Sequence, residues 1–66
     1  MPELVAARQE FISAHRAWEA VNNPAGYESG QVQVAFAARR HALLAYVRTK
    51  APFREIYAVI KARGAT

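Results

Sequence analysis

Neither cysteine nor aspartate occurs in the chain, and glycine and proline appear three times each. Without cysteine there are no disulfides and no thiolate metal sites, two common supports of a very small domain. The ligand types that remain, two histidines and five glutamates, argue against a structural metal. Few β-branched runs and few glycines leave little from which to build strands and tight hairpins. No stretch approaches the ~20 uninterrupted apolar residues of a membrane span. The opening MPELVAARQEF has no basic segment followed by an apolar block. No secretion signal is read there, and a cytoplasmic location is expected.

What the chain does have is alanine, fifteen of its 66 residues. High alanine with few breakers favours helix, and the larger apolar residues recur at helical intervals. The length allows one domain, residues 1–66. A chain of this size buries only about 60% of its extended surface, so its own core is marginal. With disulfides and metal set aside, self-association is the expected reinforcement.

Net charge is +4, unevenly placed. Residues 1–30 set Arg8 and Arg16 against Glu3, Glu10, Glu19 and Glu28, which leaves −2. Residues 31–66 set Arg39, Arg40, Arg48, Lys50, Arg54, Lys61 and Arg63 against Glu55, which leaves +6. This asymmetry points to an anionic partner. A plainer alternative is that the acidic half neutralises the basic half by packing on it.

From Glu3 the pattern runs helically to about residue 21. At about 100° per residue, Leu4, Ala7, Phe11, Ala14, His15 and Trp18 share one stripe. NNPAGYESG, residues 22–30, reads as a loop, and Ser29 as the cap of the next helix. That second helix spans about 31–49, with Val32, Ala35, Phe36, Leu43, Tyr46 and Val47 on one side. TKAP breaks it, and Pro52 is read as the start of a third helix over about 52–63 or as a kink in a continuing one. Phe53, Ile56, Tyr57 and Ile60 are expected to line one face of this last segment, and Gly64 to cap it.

A short connection between two long helices implies antiparallel neighbours. A turn near Gly26 sets Trp18 level with Phe36, Phe11 with Leu43, and Leu4 with Tyr46 and Val47. Val5 and Ile12 are left over beside the stripe, to receive the third helix or a second subunit. The expected fold is therefore all-α: an antiparallel helical hairpin of two long helices plus a short third, self-associating into a helical bundle.

Arg39 falls on the apolar stripe itself, and an isolated buried charge is too costly to keep. In the hairpin register it lies level with His15 and Glu19, which are i, i+4 on one helical face. The expectation is a structural polar layer of His15, Glu19 and Arg39 that fixes register, with Arg39 paired to Glu19. Arg40 points about 100° away and forms an outward row with Arg48. Arg54 and Lys61 form a second row flanking Tyr57. These five, Arg40, Arg48, Arg54, Tyr57 and Lys61, are the candidate partner-binding residues. The competing reading is an ordinary solvated face.

No catalytic constellation is present. Ser13 and Ser29 lack a nucleophile-elbow context, and the glycines do not form a phosphate-cradling loop. His15 and Glu19 could offer a metal two ligands, one too few for a protein site. A helix-turn-helix with TKAP as its turn fits poorly, because the preceding helix is too long and the turn has no glycine. Adsorption to a membrane ranks last, since the apolar stripes are used between the helices. No enzyme activity and no cofactor are expected. The sequence favours a small interaction or regulatory protein whose basic helical surface docks on an acidic protein. The alternative is a nucleic-acid-binding protein using the same rows on phosphates.

Overall fold

Pro2 opens the first helix at a position where its missing N–H goes unused, and α1 runs over Pro2–Val21. The computed structural model describes residues 2–62, which are helical without any strand. After α1 come α2 (Pro24–Ser29), α3 (Gln31–Arg48) and α4 (Phe53–Lys61). The long helices begin and end within a residue of the boundaries read from the sequence. Arg63 and Gly64, the expected end of the last helix, lie outside the described residues.

Residues 22–30 are not the loop that their composition suggested. Asn23 has extended backbone and its side-chain oxygen accepts from the Gly26 N–H at 3.0 Å, while Pro24 supplies a preset first turn. Together they nucleate a six-residue helix. Gly26 is required there, because a Cβ would meet the Val21 carbonyl oxygen at 1.9 Å. Nor is Ser29 the N-cap residue of α3, although its hydroxyl oxygen accepts from the Gln31 N–H at 3.4 Å. Its hydroxyl donates to the Gly26 carbonyl, and Gly30, at φ 81°, stands at the junction. Glycine alone occupies that left-handed conformation without cost.

The two long helices pack against each other. Trp18 and Phe36 border one pocket, His15 meets Arg39, and the Phe11 and Tyr46 rings lie 5.9 Å apart. Partner positions thus rise along α3 as they fall along α1. Phe11 and Tyr46 are fully buried and form the centre of a core with Ala7, Ala42 and Ile56. Leu4, Ala14, Leu43, Val59 and Ile60 pack around it. Truncating a ring like Phe11 to alanine costs about 3–5 kcal/mol. The expected match of Phe11 with Leu43 is displaced by one helical turn, toward Tyr46. That leaves Phe36 and Val47, assigned from the sequence to the inner stripe, 48% and 50% exposed.

At the far end of α3 the chain turns sharply. Thr49 donates its hydroxyl to the Tyr46 carbonyl, and Lys50 takes φ 64°, a left-handed conformation unusual for a side-chain-bearing residue. Pro52 is extended, at φ −59° and ψ 139°, and precedes α4 as its N-cap. The last segment is therefore a separate helix and not a kinked continuation. It buries Ile56, with Val59 and Ile60 partly covered, and it turns Phe53 outward to 80% exposure. The sequence reading put Phe53 and Tyr57 on one face with Ile56 and Ile60, and the structure divides that face between core and solvent. The apolar arc of α4 spans roughly 160° at about 100° per residue, wider than one contact covers, and those two rings form its wet edge.

Candidate interaction surface

The exposed side of α4 gathers aromatic and cationic groups. At about 100° per residue, Phe53, Tyr57, Lys61 and Arg54 fall within an arc of roughly 100°. Phe53 and Tyr57 stack with centroids 6.2 Å apart and planes inclined by 17°. The Lys61 ammonium stands 5.1 Å from the Tyr57 centroid, a cation–π arrangement worth about 0.5–1 kcal/mol at an exposed site. Arg54 is exposed beside them. Three of the five candidate partner-binding residues, Arg54, Tyr57 and Lys61, thus share one short helix.

Arg40 and Arg48 are exposed on α3. Among the described residues, no hydrogen bond, ion pair or ring contact joins either of them to α4. They belong to a neighbouring strip that includes Phe36, Leu44 and Val47, each about half exposed.

The polar layer is assembled in a different order from the one expected. Arg39 Nε donates to His15 Nδ1 at 2.8 Å, and His15 Nε2 lies 3.7 Å from Glu19 Oε1. Histidine, not glutamate, is thus the direct partner of the arginine. A guanidinium only donates, so Nδ1 accepts and carries no proton, and in the neutral ring the proton sits on Nε2, facing Glu19. His15 is 6% exposed. The Arg39 guanidinium carbon also stands 5.0 Å from the Trp18 centroid and 5.6 Å from that of Phe11. The charge is housed by ring faces and one imidazole.

A second polar group, part-buried around the Tyr46 hydroxyl, escaped the sequence reading. The Tyr46 hydroxyl donates to Glu55 Oε2, and Arg8 lies 3.4 Å from Glu55 Oε1. One residue from each of α1, α3 and α4 meets here. Burial pushes the Tyr46 hydroxyl above the ordinary tyrosine pKa, and the hydrogen bond to Glu55 adds to it. The available signal was Glu55 itself, the lone acidic residue of a basic half.

At the other end of the molecule, Trp18, Tyr27, Val32, Gln33 and Phe36 border a pocket of about 280 Å³. It takes rings from α1, α2 and α3. Tyr27 is 59% exposed at its rim.

Among the described residues, no group of three His, Cys, Asp or Glu could hold a metal ion. None of the helices described is long and apolar enough to cross a membrane. No protein-family model matches the chain, and neither a curated protein nor a solved structure matches it at a significant level.

Proposed function

We propose that this chain is a non-enzymatic interaction or regulatory protein of the cytoplasm that docks a basic helical surface on an acidic protein partner. The carrying observation is the composition of the outer face of α4. Two stacked rings, Phe53 and Tyr57, sit beside Lys61 and Arg54 on a helix whose adjoining side is held in the core by Ile56. Exposed aromatic anchors flanked by cations are the groups that dominate protein interfaces. Arg40 and Arg48 extend the positive charge along α3. The rising and falling register of the α1–α3 contacts supports an antiparallel hairpin as the frame. Self-association is the proposed means by which so short a chain covers its remaining apolar surface.

The test uses fluorescence anisotropy with two probes at low and moderate salt. One is an amphipathic helical peptide rich in glutamate and leucine, and the other is single-stranded and duplex DNA. The peptide is expected to bind, to retain most of its affinity at moderate salt, and to lose it with Tyr57→Ala or Arg54→Glu. Binding of DNA alone, falling log-linearly with salt by orders of magnitude, would assign the surface to phosphate recognition. Absence of binding to both probes would remove the proposal.

A further inference from the structure

The hydrogen bond that ties α1 to α3 occupies a site that a proton can take. His15 Nδ1 accepts the Arg39 Nε–H at 2.8 Å, on a ring that is 6% exposed. In the neutral ring the other nitrogen, Nε2, already carries the proton. An incoming proton therefore has one place to go, and that lone pair is the one holding Arg39. A guanidinium cannot give up its own proton to make room. Protonation in place would set two N–H donors, both on cations, face to face at hydrogen-bond distance. Charged groups face the ring from both helices of the seam: Arg39 from α3, and Glu19 Oε1 at 3.7 Å from the next turn of α1. On the far side of Phe11, Arg8 and Glu55 engage each other between α1 and α4. Glu28 on α2 and Arg54 and Lys61 on α4 are exposed.

We infer that His15 and Arg39 form an acid-sensitive latch between α1 and α3, in which protonation of His15 expels Arg39 and loosens the helix pair. What Arg39 leaves is the edge of the core. Its guanidinium carbon stands 5.6 Å from the Phe11 centroid and 5.0 Å from that of Trp18, and Phe11 is fully buried. Glu19 then receives the imidazolium, so the acid form exchanges a contact between helices for an ion pair within α1. The closed form needs the neutral ring, so the folded chain binds this proton less readily than the unfolded chain does. Stability is therefore complete above the unfolded histidine value of about 6.5 and falls as pH drops below it. That window lies above the ordinary glutamate range, about 4.3, and so belongs to histidine. The device is independent of what α4 docks on.

The experiment uses the full chain carrying His41→Gln, at an exposed position, which leaves His15 as the one histidine of the two. Urea unfolding is followed from pH 7.5 to 5.5, and the His15 ring and the Arg39 Nε–H are followed by nuclear magnetic resonance. The folding constant is expected to fall about tenfold across that range, as one proton taken up on unfolding requires. The Arg39 Nε–H is expected to be protected from solvent exchange at neutral pH and to lose that protection in step with the His15 titration. His15→Asn keeps an acceptor oxygen near the place of Nδ1 but cannot titrate, so its stability, whatever its level, is expected to be flat over the same range. Arg39→Met and Glu19→Gln move the His15 midpoint in opposite directions, up when the cation goes and down when the carboxylate goes. A merely structural role for either side chain would not produce that split. A folding constant indifferent to pH, or an Arg39 Nε–H still protected once His15 is protonated, would overturn the latch. Midpoints that the two substitutions leave in place would overturn it as well.

Discussion

Arg39 Nε donates to His15 Nδ1 at 2.8 Å, so the positive charge on α3 is anchored by a ring on α1 and not by a carboxylate. The imidazole is 6% exposed, and the guanidinium lies across Trp18 at 5.0 Å. The pair joins the long helices where an all-apolar seam could slip by a turn. A buried donor–acceptor pair of this kind specifies one register because any other leaves a polar group without its partner.

Arg39→Ala deprives His15 Nδ1 of its donor and removes the cation from two ring faces. The expected loss is about 1–3 kcal/mol, from the unmet acceptor and the lost cation–π contacts. Urea midpoints measure it. Arg39→Met keeps the aliphatic stem against Trp18 and is expected to fall between the wild type and the alanine variant. Equal stability of all three would show that the layer contributes nothing.

Tyr46 has its folded pKa raised above the ordinary value of 10.0 by burial and by Glu55. The native state therefore favours the neutral phenol. Its stabilisation is fully present below the unfolded pKa and is lost as pH rises through the folded one. Stability is expected to decline above about pH 10, and Tyr46→Phe is expected to flatten part of that decline. Subtracting phenolate absorbance titrations of the two proteins isolates the Tyr46 step, which should lie above the usual tyrosine range.

Two substitutions around Glu55 separate a hydrogen bond from an ion pair. Arg8 and Glu55 are 3.4 Å apart, but their side chains are 34% and 32% exposed. Solvent screening holds such a pair to about 0–1 kcal/mol. Glu55→Ala in addition leaves the fully buried Tyr46 hydroxyl without its acceptor, at about 1–3 kcal/mol. Glu55→Ala is thus expected to destabilise more than Arg8→Ala in thermal unfolding. The reverse order would assign the stabilisation to the charge pair.

The connection between the long helices carries two glycines with different duties. Gly26→Ala places a Cβ 1.9 Å from the Val21 carbonyl oxygen and 2.9 Å from a Val32 methyl. Backbone must move, so the loss is expected to exceed the ~1 kcal/mol that alanine gains over glycine inside a helix. Gly30→Ala meets nothing nearer than the Gln33 side chain at 4.0 Å, and its cost is only that of φ +81°, about 1–2 kcal/mol. Circular dichroism melts of the two variants should show Gly26→Ala as the more damaged.

The long helices were legible because their apolar residues recur every three or four positions and their ends carry Pro, Asn and Gly. The membership of His15, Glu19 and Arg39 in one layer was legible for the same reason, since the hairpin register aligned them. Their order was not, because Arg39 lies close to His15 and Glu19 alike at the level of a helical projection. α2 was hidden by composition: a capped six-residue helix contains the same Asn, Pro, Gly and Ser as an irregular loop. Arg8, Tyr46 and Glu55 belong to three helices, and Arg8 and Glu55 are 47 positions apart. Only the angle at which α4 returns across the pair brings them together. The same angle decides which edge of α4 stays wet, so a periodicity that groups Phe53 with Ile56 does not tell that Ile56 is buried and Phe53 faces water.

Lys50 takes a backbone conformation that glycine would adopt freely, and it does so immediately before the helix that bears the stacked rings. The left-handed geometry costs a lysine about 1–2 kcal/mol. The bend is therefore set by what α4 grips and not by the hinge itself, and a change in that grip would swing the whole aromatic tip.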